Sequence, residues 1–554
     1  MTKKKKRILI IGGVAGGASC AARARRLSET AEIIMFDRGG FVSFANCGLP
    51  YYIGDVITDE KKLLVANVEL FKNRFNIEVR LENEVLEIDR KKSEIVVKNL
   101  KTNQIYREHY DALVLSPGAS PIRPPLPGID LPGIFSLRTI PDSRRIREWI
   151  VTQNVKNAVV VGGGFIGLEM TENLVHRGIK VTLLEMLPQV MPPFDIEMVE
   201  PVHEYLREKG VELFLGDGVT GFETNNEANN SGLIVSTQSG KKHTTDLVIL
   251  ALGVRPDIQL AKNADLEIGE RGGIRVNKKM RTNDKKIWAV GDAVEVQDFV
   301  TKEWTLIPLA GPANRQGRIA ADAIFGRTSQ FRGTQGTSVC GIFDLIIAST
   351  GASEKTLKRL GIDYEKVYLH PAHHVGYYPG AKPIDLKLLF SPKDGKILGA
   401  QAIGEAGVEK RIDVIAMAIQ TRATIFDLEQ AELCYSPQFG AAKDPVNFAG
   451  MIAGNALRGD APLTQWDYLP TEDAVILDVR EVSEFEGGHV VGAVNIPLPK
   501  LRDRVDELPK DREIWVYCQV GQRAYYATRI LRLNGFNAKN ITGGFKTYQT
   551  LTIE

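Results

Sequence analysis

At 554 residues the chain has room for about three or four domains, and with 44% hydrophobic and 25% charged residues each has the makings of a core. Lys and Arg number 70 against 68 Asp and Glu, a net charge of +2, so nothing in the balance calls for nucleic acid or a membrane surface as a partner. Five cysteines (Cys20, Cys47, Cys340, Cys434, Cys518), without a Cys-x-x-Cys or a Cys/His cluster, argue against a disulfide framework and against a metal site, and fit free thiols in a reducing compartment.

The basic start Lys3–Arg7 is followed by only four apolar residues, Ile8–Ile11, too few for a signal-peptide core. No apolar stretch is long enough for a bilayer. A cytoplasmic location is expected. Arg7–Ile11 then reads as a strand, Gly12-Gly13-Val14-Ala15-Gly16-Gly17 as a turn, Ala18–Leu27 as a helix and Glu32–Phe36 as a second strand ending at Asp37. In this first loop Val14 stands where a dinucleotide fingerprint has its middle glycine. Next comes Ser43-Phe44-Ala45-Asn46-Cys47-Gly48-Leu49-Pro50-Tyr51. Its thiol has no partner four residues away, since Val42 and Tyr52 flank the segment. It must therefore cycle through a sulfenic acid or a mixed disulfide.

An apolar strand from Asp111 ends in the turn Ser116-Pro117-Gly118, and proline-rich residues 121–128 read as a crossover. The opening grammar then recurs. A strand Ala158–Val161 leads into Gly162-Gly163-Gly164-Phe165-Ile166-Gly167, a helix to about His176, and a strand Lys180–Leu184 ending at Glu185. Here the full G-x-G-x-x-G is present, with glycines for the tight turn, for backbone approach to a pyrophosphate and for helix–strand packing. An acid at Glu185 disfavours a 2′-phosphate, so NADH is favoured and NADPH stays open. A return strand Asp246–Leu252 ends at Gly253, and Ile287-Trp288-Ala289-Val290 reads as a strand stopping at Gly291-Asp292. Residues 331–455 change to an α+β pattern, with strands Lys387–Phe390 and Ile397–Ile403 and a helix Val408–Arg422. The stretch 454–470 reads as a linker. Last come Asp478-Val479-Arg480-Glu481, Gly488–Pro497, the loop Cys518-Gln519-Val520-Gly521-Gln522-Arg523 after an apolar strand, and Gly543-Gly544-Phe545.

The first glycine loop, the second inserted loop and the late Ala-x-Gly-Asp, in that order, resemble the two-dinucleotide flavoprotein disulfide reductases over about residues 7–455. The resemblance implies FAD at Gly12, Gly13, Ala15, Gly16, Gly17, Asp37, Ser116, Gly118, Gly291 and Asp292. It implies NAD(P)H at Gly162, Gly164, Phe165, Ile166, Gly167, Glu185 and Gly253. The segment around Cys47 resembles the single-cysteine branch of NADH oxidases, NADH peroxidases and coenzyme A disulfide reductases. The oxidases and peroxidases place a histidine in the first loop where this chain has Ala15, which favours the coenzyme A disulfide reductases. That resemblance implies a tyrosine pair given by the partner subunit of a homodimer, Tyr377 and Tyr435. It also implies coenzyme A contacts at Ser19, Arg23, Arg26, Ser43, Asn46, Asn314 and Lys443. A lysine expected near Phe75 is not placed, since Lys72 and Arg74 both lie close. Cys20, Cys340 and Cys434 are expected to pack as small buried hydrophobes.

Residues 465–554 resemble a single-domain rhodanese. The resemblance implies a cradle of backbone N–H groups around Cys518 that favours its thiolate and a persulfide, with Arg523 bracing the loop or attracting an anion. The expected fold class is α/β, with two Rossmann-like domains, an α+β dimerisation domain and an α/β rhodanese domain. Its boundaries are FAD domain 1–121 and 253–330, NAD(P)H domain 122–252, dimerisation domain 331–455, linker 456–466 and rhodanese 467–554. The expected activity is reduction of coenzyme A disulfide or persulfide through a Cys47 mixed disulfide, with sulfane sulfur supplied by Cys518. Two other readings stay open: an NADH oxidase or peroxidase working through a Cys47 sulfenate, and a sulfurtransferase on a coenzyme A-binding scaffold.

Overall fold

A computed structural model of the chain describes residues 5–225, 232–469 and 473–551. They form two compact units. The first takes the chain up to Val190 and then Leu206–Gly336, and the second takes Met191–Tyr205 and everything from Thr337.

The first unit holds two five-stranded parallel sheets of the same plan. In one the order is Ile287–Ala289, Ala112–Leu115, Arg7–Ile11, Glu32–Asp37, Glu78–Leu81. In the other it is Glu212–Phe214, Lys180–Leu184, Asn157–Val161, Leu247–Leu250, Ile134–Ser136. The apolar runs of the central strands cause this arrangement. Ile8, Leu9 and Ile10 are fully buried, as a parallel strand covered on both faces requires. Each such side chain contributes about 1.5–3 kcal/mol by leaving water. In both sheets the strand before the glycine loop has the acid-ended strand on one side and the return strand on the other. The loop therefore opens at the point where strand order reverses, where ligands bind in open α/β sheets. The first helix runs Ala15–Leu27, three residues earlier than the sequence predicts, because Val14 takes the non-helical N-cap position and Gly16 and Gly17 enter the helix.

The second unit pairs a five-stranded antiparallel sheet with a five-stranded parallel one. The antiparallel order is Ser338–Ile342, Leu345–Gly351, Ile397–Gly404, Ile384–Phe390, Glu365–Leu369. The parallel order is Leu463–Thr464, Ala538–Ile541, Glu513–Tyr517, Ala474–Asp478, Val494–Asn495. The expected linker is thereby corrected. The helix Pro445–Leu457 runs into its start, Leu463–Thr464 form an edge strand of the last sheet, and buried Trp466 packs on Tyr517. The two sheets are tied by Lys366 to Asp467 at 2.7 Å, Lys546 to Asp385 at 2.5 Å, and the Tyr368 N–H to Thr542 Oγ1 at 2.8 Å. Beneath them Lys387, wholly buried, donates to Asp195, Glu197 and Glu354 at 2.9, 2.5 and 2.6 Å. Its ammonium fills the centre of this acidic group, which satisfies charges that burial alone would make costly.

Candidate active sites

The two glycine loops are built alike. A Cβ at Gly17 would run into the Gly12 carbonyl, and one at Gly167 into the Gly162 carbonyl, so these contacts admit glycine alone. Gly12 and Gly162 also need positive φ, +94° and +107°. The Gly13 N–H donates to Asp37 Oδ2 at 2.9 Å and the Gly163 N–H to Glu185 Oε2 at 2.7 Å. Each acid is thus fixed by its own loop and keeps lone pairs for a ribose hydroxyl. Burial pushes the Asp37 carboxyl up, against the N–H groups of Gly13 and Gly39. The helices that begin at Ala15 and Phe165 carry no side-chain cap, and the space beyond the Gly164 Cα is open. Both therefore present free N–H groups and a positive dipole end, the donor set a pyrophosphate needs.

Around the first loop, the Ser116 N–H donates to Ile11 O at 2.7 Å and the Gly291 N–H to Gln316 Oε1 at 2.8 Å. Gly118 and Gly253 both take positive φ in turns that follow return strands. Asp292 is pushed up by burial and drawn back by Arg138, whose own guanidinium is lowered by burial. Sequence reasoning did not reach Arg138, which has no motif around it.

Cys47 lies in a short turn, Asn46–Gly48, that runs into the helix Leu49–Ile53. That helix is held against the second loop's helix. Gly54 sits against Asn173, and Arg177 donates to Ile53 O at 2.9 Å. Cys47 therefore stands between the two nucleotide units. Although it reaches solvent, the surrounding protein strips enough water to push its thiol up, and the carboxylates of Glu169 and Asp292 push the same way. Glu169, two residues past Gly167, is itself pushed up to about 7 by burial and then by Glu172, against a hydrogen bond from Tyr51. Its position on the face turned to Cys47 is a tertiary fact that no local pattern announces.

Of the residues expected to meet coenzyme A, Ser19 donates to the Asn314 side-chain oxygen, and Asn314 donates to Ala310 O at 2.8 Å. Arg23 is bound to Asp322 at 2.7 Å, while Arg26 is exposed. The Ser43 N–H donates to Gly13 O at 2.8 Å, and exposed Asn46 donates to Arg138 O at 3.4 Å. In the second unit Tyr377 and Tyr435 share a hydrogen bond of 2.9 Å between hydroxyls and are both exposed. That bond raises the Tyr377 phenol. Lys443 is exposed beside buried Asp444, which Arg411 holds at 2.8 Å. Cys20 is buried, and loss of water pushes its thiol to about 12; Cys340 is buried as well. Cys434 corrects the expectation: it is exposed, because it lies outside any helix or strand in the loop leading to Tyr435.

Cys518 follows the central strand Glu513–Tyr517, at the carboxyl end of the parallel sheet, and is buried. Its Sγ accepts from the Gly521 N–H at 3.2 Å, and the helix Gln522–Leu533 starts just beyond with no side-chain cap. The far wall of the loop is pinned by Phe545 N–H to Cys518 O at 2.7 Å and Lys546 N–H to Gln519 O at 3.0 Å. Arg480 is locked on Asp478 at 2.7 Å, donates to Gln519 Oε1 at 3.3 Å and lies over the Phe545 ring. Arg523 braces the loop through Glu484, with parallel contacts of 2.6 and 2.7 Å.

The model of the pyridine nucleotide-disulphide oxidoreductases matches residues 6–317, and that of their dimerisation domain residues 337–444. The chain belongs to the pyridine nucleotide-disulphide oxidoreductase family. A rhodanese-like domain model matches residues 464–551. Within this oxidoreductase family the chain is 35% identical to coenzyme A disulfide reductase of Staphylococcus epidermidis, over 81% of this chain and 99% of that protein. It is similar along nearly its whole length to the reduced Bacillus anthracis CoADR-RHD (50% identity, TM-score 0.96, 99% and 98% of the two chains). It is similar also to a NAD-dependent persulfide reductase from A. fulgidus (35% identity, TM-score 0.89, 98% and 100%). The chain is therefore a coenzyme A disulfide reductase-type member of the oxidoreductase family with a rhodanese domain fused behind the dimerisation domain. Among the described residues no helix is long and apolar enough to cross a membrane.

Proposed function

We propose that this protein is an NADH-dependent flavoenzyme that reduces coenzyme A disulfide or coenzyme A persulfide at Cys47, as a cytoplasmic homodimer, and carries sulfane sulfur on Cys518. The observation that carries this reading is the Tyr377–Tyr435 hydroxyl pair, in which one phenol donates to the other and the second keeps its proton for a departing thiolate, in a chain whose Cys47 has no cysteine partner. The two uncapped helix starts and their fixed acids fit FAD on the first loop, with residues 1–121 and 253–330, and the nicotinamide cofactor on the second, with residues 122–252. Residues 331–455 would form the dimer. Bound FAD supplies the electron pair, drawn from NADH, that returns Cys47 to its reduced form.

The protein's own residues do the rest. Cys47 thiolate attacks one sulfur of coenzyme A disulfide, a Cys47–S–S–CoA bond forms as the original S–S bond breaks, and coenzyme A thiolate leaves. With coenzyme A persulfide the attack falls on the inner sulfur and hydrosulfide leaves, so both substrates give the same mixed disulfide. Tyr435 and Tyr377 of the partner subunit give the departing sulfur its proton. Ser19, Asn314, Arg26, Ser43, Asn46 and Lys443 hold coenzyme A, and Arg23, tied to Asp322, positions the first helix. Anaerobic NADH consumption with each substrate in parallel tests the reading. Free coenzyme A, with hydrogen sulfide from the persulfide, is expected. The Tyr377→Phe/Tyr435→Phe enzyme should lose about 10²-fold in kcat with its KM for NADH unchanged. NADH oxidation that needs oxygen and ignores both substrates would overturn it.

A further inference from the structure

The surroundings of Cys518 carry a statement about which sulfur donor it takes. Two donor chemistries can load a cysteine with sulfane sulfur. With thiosulfate, the Cys518 thiolate attacks the outer sulfur, the new S–S bond forms as the bond to the sulfonate sulfur breaks, and sulfite leaves as a dianion. With an organic persulfide, the same attack on the terminal sulfur releases a thiolate that bears a single charge, and the proton stays on the transferred sulfur. The first path needs an unpaired cation beside the loop to receive the anion, and the second does not.

Arg480, Arg523 and Lys546 all bond to the loop, and each has its charge occupied. Arg480 is buried against Asp478 with contacts of 2.7–3.1 Å. Lys546 reaches the loop through its backbone while its ammonium holds Asp385 at 2.5 Å. Arg523, on the first turn of the helix behind Cys518, faces the Cys518 sulfur on one side and is clasped by both oxygens of Glu484 on the other. The hydrogen bond from Arg523 holds the Glu484 carboxyl at about 2, so the clasp is fully charged at neutral pH. Glu484 lies on the short helix Val482–Glu486, where Glu481 and Glu486 add two exposed carboxylates. Beside these acids the rim is apolar: Val482 and, one turn beyond Gln522, Tyr526 are about half exposed.

We infer that Glu484 sets the donor class of the Cys518 site, cancelling the Arg523 charge so that the loop takes sulfur from organic persulfides and turns away thiosulfate. This rests on the sulfurtransferase role proposed above for Cys518. Glu484 is a specificity residue acting through Arg523, not a group that touches the sulfur.

The test is the rate at which Cys518 of the full-length protein gains one sulfur, read by intact mass, with glutathione persulfide and with thiosulfate and without NADH. Because no NADH enters, failure of the reductase reading leaves this result untouched, and a Cys518 loaded by neither donor would overturn the sulfurtransferase role itself. The wild-type protein should load from the persulfide at least about tenfold faster than from thiosulfate. Glu484→Gln should raise the thiosulfate rate about tenfold at low salt, as one uncovered charge near the site would. The Glu484→Gln/Arg523→Gln protein should lose that gain. Equal wild-type rates, which need no variant, would overturn the inference. So would a Glu484→Gln protein with unchanged preference and wild-type loading from persulfide, or a gain that survives loss of Arg523.

Discussion

The two reactive thiols stand in opposite electrostatic settings. Cys47 reaches solvent, and its charged neighbours are carboxylates, Glu169 and Asp292, which together with loss of water push its thiol up. Cys518 is buried, accepts a backbone N–H, and is ringed by arginines already matched one to one with acids. A thiol that alternates between mixed disulfide and free form works best where it is a good leaving group only when needed. A thiol that carries a sulfur atom needs a rigid cradle of N–H donors. On the proposed reading, the contrast lets one chain run two kinds of sulfur chemistry without either thiol doing the work of the other.

The sharpest way to break that division is to remove each sulfur in turn. Cys47→Ser should reduce anaerobic NADH turnover with coenzyme A disulfide by at least about 10³-fold, since the covalent path is gone, while sulfur loading on Cys518 persists. Cys518→Ser should do the converse. Stopped-flow absorbance for the first and intact mass for the second read the two outcomes, and a variant that lost both would show that the sites are not separable.

A smaller effect distinguishes the two settings by stability. Arg480→Met leaves buried Asp478 without its partner, and breaking a buried pair from one side costs about 3–5 kcal/mol. Thermal unfolding should show an early transition for the part of the chain around Cys518, while NADH turnover at Cys47 holds at 25 °C. A single unshifted transition would mean that solvent reaches Asp478 and that the cradle is less rigid than its geometry indicates.

What the sequence revealed follows from the range of each interaction. Gly12, Gly17, Gly162 and Gly167 are legible because a backbone collision a few residues away forbids any other residue there. The acids Asp37 and Glu185 are legible because the loop that orients them lies one strand away. The side chains that brace these groups from elsewhere in the chain are not legible. Arg23 meets Asp322 across most of the first unit, Glu484 and Arg523 pair across a helix and a strand, and Asp195 and Glu197, nearly two hundred residues earlier in the chain, hold Lys387 within the second unit. The exposure of Cys434 is not legible for a related reason: a single cysteine carries no periodicity, and only its place outside any regular element exposes it. Two residues of edge strand, Leu463–Thr464, are likewise too few to stand out from a linker.

The smallest expected effect bears most directly on the comparison, because it changes the charge around Cys47 without touching the thiol. In the folded protein the thiol is raised above its ordinary value, and the Glu169 carboxylate is one of the causes. A raised thiol gives less thiolate at a given pH, so attack on coenzyme A disulfide should climb as pH rises through the elevated value. Glu169→Gln removes a negative neighbour, stabilises the thiolate and should move the alkaline rise in kcat/KM to lower pH by about one unit, the span of a single close charge. Glu169 titrates near 7, so between pH 6 and 8 the wild-type carboxyl charges and opposes thiolate formation, flattening the profile, whereas the variant should show a single steeper rise. The same substitution made at Glu484 should leave this profile where it is. If Glu169→Gln shifts the rise upward or not at all, the thiol is governed by its loss of water alone, and the carboxylates beside Cys47 have some other task.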